Sequence, residues 1–231
     1  MKKMILMAVV AMMATMSASA QARFETGTFT LQPRIGGTGS LFTNAPDMSE
    51  DGKTIDAIPA GGSFTGLDLE YYLSSRIGLT AGIGWSEAGT GWENHTIYAP
   101  NGQTMKVKDW SLKTNYFNVP LTVNWYVLKG FALKTGLQLG FLTRAKEHSL
   151  LEYTEGVVDY TLTADTDRKT EFKKFDISIP VGLSYEFRFP IVIDLRFNVG
   201  LTKVNKDHTI IDGDDYRNLQ SALTIGYKFK L

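Results

Sequence analysis

Residues 175–189 read FDISIPVGLSYEFRF, and residues 191–202 read IVIDLRFNVGLT. In the first stretch every odd position is bulky and apolar: Phe175, Ile177, Ile179, Val181, Leu183, Tyr185, Phe187 and Phe189. Between them stand Asp176, Ser178, Pro180, Gly182, Ser184, Glu186 and Arg188. In the second stretch Ile191, Ile193, Leu195, Phe197, Val199 and Leu201 alternate with Val192, Asp194, Arg196, Asn198, Gly200 and Thr202. Period two belongs to a β-strand, whose successive side chains point to opposite faces. Ordinary globular strands run about 5–6 residues, and a tilted strand crossing a bilayer needs about 9–11. Alternation sustained this long points to membrane-spanning strands.

The same pattern recurs in residues 28–35, 64–73, 77–86, 116–127, 133–141 and 219–231, giving eight strands in all. Short links (Ser74-Ser75, Leu128-Lys129-Gly130 and the turn at Pro190) alternate with long polar ones at 37–62, 87–110, 143–172 and 203–217. One end of the sheet therefore carries tight turns and the other long loops. Two of the long links read as hairpins: 92–98 with 105–110 around Pro100-Asn101-Gly102, and 150–162 around Glu155-Gly156. Hydrocarbon tolerates no open sheet edge, because unpaired backbone groups there are costly, so the sheet must close. The expected fold is all-β: an eight-stranded antiparallel transmembrane β-barrel with short periplasmic turns and long extracellular loops. A soluble β-barrel would share the alternation. Strand length favours the membrane, as does a polar face studded with glycine (Gly66, Gly78, Gly82, Gly84, Gly136, Gly140, Gly182, Gly200, Gly226). So do aromatic side chains gathered near both strand ends.

The chain has 231 residues, 24 basic and 24 acidic side chains, and no cysteine. Disulfides, cysteine-ligated metals and cysteine nucleophiles are excluded. The balanced charge lacks the basic field of a nucleic-acid binder. Residues 1–20 read as a signal peptide: Lys2-Lys3, an apolar run from Met4 to Met16, then small residues up to Ala20. Cleavage is expected after Ala20, with Gln21 leading a barrel domain over 21–231. The apolar run is shorter than the roughly 20 residues of a spanning helix, and the absence of a following cysteine rules out a lipoprotein anchor. The final residues, LTIGYKFKL (223–231), form an amphipathic strand with an aromatic near its end. Such an ending suits recognition by barrel insertion machinery.

The sequence resembles the PorT-like family of outer-membrane β-barrels of Gram-negative envelopes. The resemblance rests on YFNVPLTVNW (116–125), FDISIPVGLSYEF (175–187) and FNVGLTKV (197–204), and extends over nearly all of 24–231. It implies residence in the cell outer membrane and, for some members, a part in secretion or surface assembly. It carries over no catalytic residue.

An eight-stranded barrel has an interior just wide enough for side chains to fill. The polar-face charges Arg34, Asp68, Glu70, Lys134, Arg144, Lys174, Asp176, Glu186, Arg188, Asp194 and Arg196 are expected to line it. Confined charges of both signs should pair into a plug that sets the packing, the alternative being a solute path. The histidines, His95, His148 and His208, all fall in long links. A metal site with Asp207, Asp212, Asp214 and Asp215 lacks ligand spacing, and Asp212-Gly213-Asp214-Asp215 lacks the closing glutamate of a calcium loop. Gly36-Gly37-Thr38-Gly39 is followed by no lysine or helix, so it reads as a flexible strand exit. His148-Ser149 with Glu147 or Glu152 offers the residue types of a lipid-modifying hydrolase. The leading expectation is a non-enzymatic barrel without cofactor or metal. It would touch outer-membrane lipid and act through its outward loops on a protein or surface ligand. A transport or secretion component and a loop-active enzyme are the alternatives.

Overall fold

The computed structural model describes residues 24–43, 48–50, 53–98, 104–155, 158–206 and 215–231. The predicted signal peptide, with Ala20 and Gln21, lies outside them. Eight long strands carry the fold: β1 Phe29–Thr43, β2 Ala57–Tyr72, β3 Ile77–Trp92, β4 Thr104–Leu128, β5 Phe131–Glu155, β6 Phe175–Glu186, β7 Ile191–Gly200 and β8 Arg217–Tyr227. Each pairs antiparallel with the next. β8 then pairs back onto β1, Arg34 facing Gly226 and Leu41 facing Leu219. Phe229 and Lys230 extend that seam along Leu31 and Thr30. The ring is closed, as the eight alternating runs require.

The two faces of the ring have opposite character. Odd-numbered apolar side chains point outward; Ile35 is 63% exposed, Leu223 58% and Val181 50%. Their even-numbered neighbours, among them Arg34, Gln32, Gln220, Thr224 and Asn198, are buried. A soluble barrel puts its apolar face inside, so this polarity suits a hydrocarbon solvent. Among the described residues no helix is long and apolar enough to cross a membrane. Two aromatic belts bound the apolar band. On the loop side Phe117, Phe141 and Phe175 are register partners across three strands. On the turn side Phe29 meets Tyr71 at 4.7 Å, and Tyr227 meets Phe229 at 4.6 Å. From Phe175 to Tyr185 is ten steps along a tilted strand, a height of about 25 Å, matching the apolar band of such barrels.

The outer ends depart from expectation. The strands run well beyond the belt, with β4 and β5 each 25 residues long. The 37–62 link shrinks accordingly, since Gly37–Ser40 of β1 pair with Ala60–Ser63 of β2. Gly36–Gly39 is thus no flexible exit but part of a paired strand. A Cβ on Gly36 would collide with the carbonyl oxygen of Leu223, so glycine is needed where β1 and β8 approach closely. Both hairpins form. His95–Tyr98 pairs with Thr104–Val107, and Lys146–Glu155 pairs with Val158–Asp167. Their turns, at Pro100-Asn101-Gly102 and Gly156, fall outside the described residues. Together these segments make a four-stranded outward sheet that continues the barrel wall.

Candidate functional site

The lumen holds three polar layers. Nearest the turns, Lys228 Nζ donates to Glu70 Oε2 at 2.8 Å, to Glu186 Oε2 at 3.1 Å and to the Tyr72 hydroxyl at 2.9 Å. Tyr126 and Asn124 donate to the other Glu70 oxygen at 2.8 and 2.6 Å. Phe24 closes this end against Tyr72, ring to ring at 5.4 Å. In mid-lumen Lys134 Nζ lies 2.7 Å from Asp194 Oδ2, and Arg34 Nε lies 3.0 Å from Asp68 Oδ2. Arg196 sits between the same two carboxylates at 3.5 and 3.7 Å. In the outer layer Asp176 accepts from Thr202 at 2.6 Å and from Asn218 at 2.8 Å. Asn118 donates to Ser86 at 2.9 Å.

Removing charges from water costs several kcal/mol each, and only close opposite charges and hydrogen bonds offset that. The layers supply both. Small residues make the room: a Cβ on Gly78 would strike the Glu70 carboxylate, and one on Gly82 would strike that of Asp68. The void left in the outer layer has a volume of about 20 Å³, close to the space one water molecule occupies. Above it an apolar cluster closes the outward mouth, built from Phe42, Trp92, Leu112, Leu142, Phe172 and Tyr216 with their neighbours.

Of the expected lumen residues, Arg34, Asp68, Glu70, Lys134, Asp176, Glu186, Asp194 and Arg196 are buried inside. Three are not. Arg188 is exposed because β6 ends at Glu186 and the chain turns there. Lys174 precedes β6 and is exposed. Arg144 points outward because Thr143 is an extra residue in β5: Asn115 faces Arg144 while Tyr116 faces Leu142. A bulge of this kind exchanges the faces of everything beyond it. Sequence reasoning left out Lys228, although it shares the even parity of the lumen set, and it left out the apolar cap. The cap was signalled by bulky apolar residues at even positions near the loop-side ends.

A second feature is a cleft of about 740 Å³ on the outward rim, between β2, β3, β4 and the foot of the outward sheet. Trp92 and Trp110 stack in its wall at 4.7 Å. Trp110 donates its indole N–H to Glu147 at 2.8 Å, and Arg168 holds the second Glu147 oxygen at 2.6 Å. His148, also at the cleft, pairs through Nδ1 with Asp165 Oδ1 at 2.8 Å. That bond, with Lys146 and Arg144 nearby, holds the Asp165 carboxyl below its ordinary range. Among the described residues no three His, Asp or Glu side chains converge as metal ligands. His95 lies 6.0 Å from the Trp110 ring, and Asp215 pairs with Lys203 at 2.9 Å. His208, Asp207, Asp212 and Asp214 lie outside the described residues.

Comparison with known proteins adds the family. A sequence model described as outer membrane protein beta-barrel domain matches residues 18–206. No curated protein matches the chain. Similar solved structures include Ail, the attachment invasion locus protein of Yersinia pestis, in complex with the heparin analogue sucrose octasulfate. It is 14% identical with a TM-score of 0.42, over 89% of this chain and 100% of that one. Neisserial surface protein A is 12% identical with a TM-score of 0.37, over 87% and 97%. The outer membrane protease OmpT of Escherichia coli is 10% identical with a TM-score of 0.35, over 88% and 97%. The family match covers well over half of the chain, and the protein therefore belongs to the outer-membrane β-barrel domain family and resides in the outer membrane.

Proposed function

We propose that this protein is a non-enzymatic barrel that acts through its outward sheet and rim, in surface interaction or envelope assembly, with a sealed lumen. The narrower likeness to PorT-like barrels, carried by residues 116–125, 175–187 and 197–204, belongs to the same reading. One observation carries the proposal: paired charges fill the lumen from Lys228 to Asp194, hydrogen-bonded polar groups around Asp176 continue above them, and an apolar cluster covers the outward end. An ion crossing it would have to break several buried ion pairs in turn. The material that is left to act is outside, where the four-stranded sheet and the tryptophan-walled cleft stand ready for a protein or surface ligand. Refolded protein in planar bilayers is expected to show no sustained conductance. Nanosiemens-scale steps would favour the transport or secretion alternative instead.

The non-enzymatic part of the reading rests on how the candidate residues are spent. Glu147 is engaged by Trp110 and Arg168, and Glu152 by Lys108 at 2.7 Å. His148 and Ser149 are consecutive in one strand, so their side chains leave opposite faces of the sheet. Protein reconstituted in envelope lipids is expected to leave the lipid masses unchanged. A mass shift that disappears in His148→Ala would establish the enzyme alternative.

A further inference from the structure

We propose that the outward rim of β4–β6 binds the phosphate groups of the glycolipid in the outer leaflet. The proposal rests on the outward orientation of the long strand ends, and is independent of what the outward sheet binds.

The belt of Phe117, Phe141 and Phe175 marks the edge of the hydrocarbon on this face, since all three rings are exposed and in register. Basic side chains stand directly beyond it. Lys174 precedes Phe175 by one residue, and its carbonyl accepts the Leu142 N–H at 2.8 Å. Arg144 follows Phe141 by three residues and is turned outward by the bulge at Thr143. Lys113 and Lys146 face each other one step farther out. At about 2.5 Å of height per residue of tilted strand, Lys174 and Arg144 lie about 3–8 Å above the rings. That is where a phosphorylated headgroup meets its acyl chains.

The cations are unevenly spread around the rim, although exposed Arg217 opens β8 opposite Thr43 of β1. The loop-side ends of β1–β3, residues 35–43, 57–65 and 85–92, contain no lysine or arginine. A general attraction to an anionic surface would not require such a division. The neighbouring cations of the outward sheet are already used: Lys108 pairs with Glu152, and Arg168 with Glu147 and Glu171. Asp165, with Arg144 and Lys146 nearby, is held by His148, and Asp167 stands across from Lys146. Arg144 offers a planar donor fork matched to phosphate, and Lys174 a mobile point charge beside it. The exposed rings below supply apolar contact for the acyl chains of the same molecule. Two kinds of contact, at two heights on one face, fit a single amphipathic anionic lipid.

Native mass spectrometry of the detergent-solubilised protein tests this with three probes: bisphosphorylated lipid A, its dephosphorylated form and phosphatidylglycerol. The expected result is retention of bisphosphorylated lipid A well above the other two. The double variant Arg144→Gln/Lys174→Gln should lose that retention by about tenfold or more. Ser63→Gln, on the side without lysine or arginine, should keep it. Both variants should show the heat-modifiable gel shift of a folded barrel. Equal retention of the dephosphorylated lipid would overturn the proposal, as would equal retention of phosphatidylglycerol. Loss in the Ser63 variant to the same degree would do so too. A conductance result bears only on the sealed lumen and leaves this site untouched.

Discussion

Val181→Arg is expected to destabilise the folded barrel by about 2–4 kcal/mol in a lipid bilayer. Val181 sits in the middle of β6, where it faces Thr135 on β5 and Phe197 on β7. Its side chain points out of the barrel and is half exposed when lipid is ignored. In the membrane that exposure becomes contact with acyl chains at mid-depth, where a guanidinium finds no partner and must snorkel or thin the bilayer. The control lies three residues away. Ser178 is buried in the lumen among Asn118, Gln138 and Asn198, so Ser178→Thr adds one methyl to a polar layer and should cost far less. Urea unfolding of both variants in lipid vesicles measures the difference. Equal losses would contradict the assigned faces, and so would lipid-phase photolabelling that marks Ser178 and Asn198 while sparing Ile179 and Phe197.

The membrane-spanning part of this fold was legible because lipid imposes a strict two-residue code. Between the aromatic belts one face must be apolar and the other must fit a narrow polar interior. Residues 175–186 and 191–200 therefore announce both their structure and their solvent. Beyond the belts both faces meet water or protein, and the code relaxes. That is why Gly37–Thr43, Ala57–Ser63 and Lys146–Ser149 read as loop although they are paired strand. The lumen set was legible to the same degree: parity placed Asp68, Lys134 and Asp194 inside. Parity failed at Arg144, where one extra residue in β5 exchanged the faces. It also undervalued Phe42, Trp92 and Leu142, which share the lumen's parity but belong to the apolar cap. An apolar residue on the polar face near an outward strand end was the available signal. No composition or motif reveals the rim cleft, because it is assembled from β2, β3, β4 and β5 and exists only once they are in register.

Asp194→Asn is expected to cost about 3–5 kcal/mol, the penalty of breaking a buried ion pair and leaving its partners charged. Asp194 is 1% exposed and takes the Lys134 ammonium at 2.7 Å, with Arg196 at 3.5 Å and Arg34 at 3.8 Å. Three cations in the middle layer thus share two carboxylates, and the substitution leaves them only Asp68. An asparagine of the same shape keeps the packing, so the loss reports charge rather than a cavity. The double variant Lys134→Met/Asp194→Leu tests that assignment, because it removes the pair and keeps the volume. Buried ion pairs replaced by apolar groups are often neutral or even stabilising, so the double variant should be markedly more stable than Asp194→Asn. Urea midpoints of the two proteins in the same vesicles decide it. If Asp194→Asn costs under about 1 kcal/mol, water must be solvating the stranded cations. A lumen wet enough to do that is no longer sealed, and the outward sheet would then be the vestibule of a path.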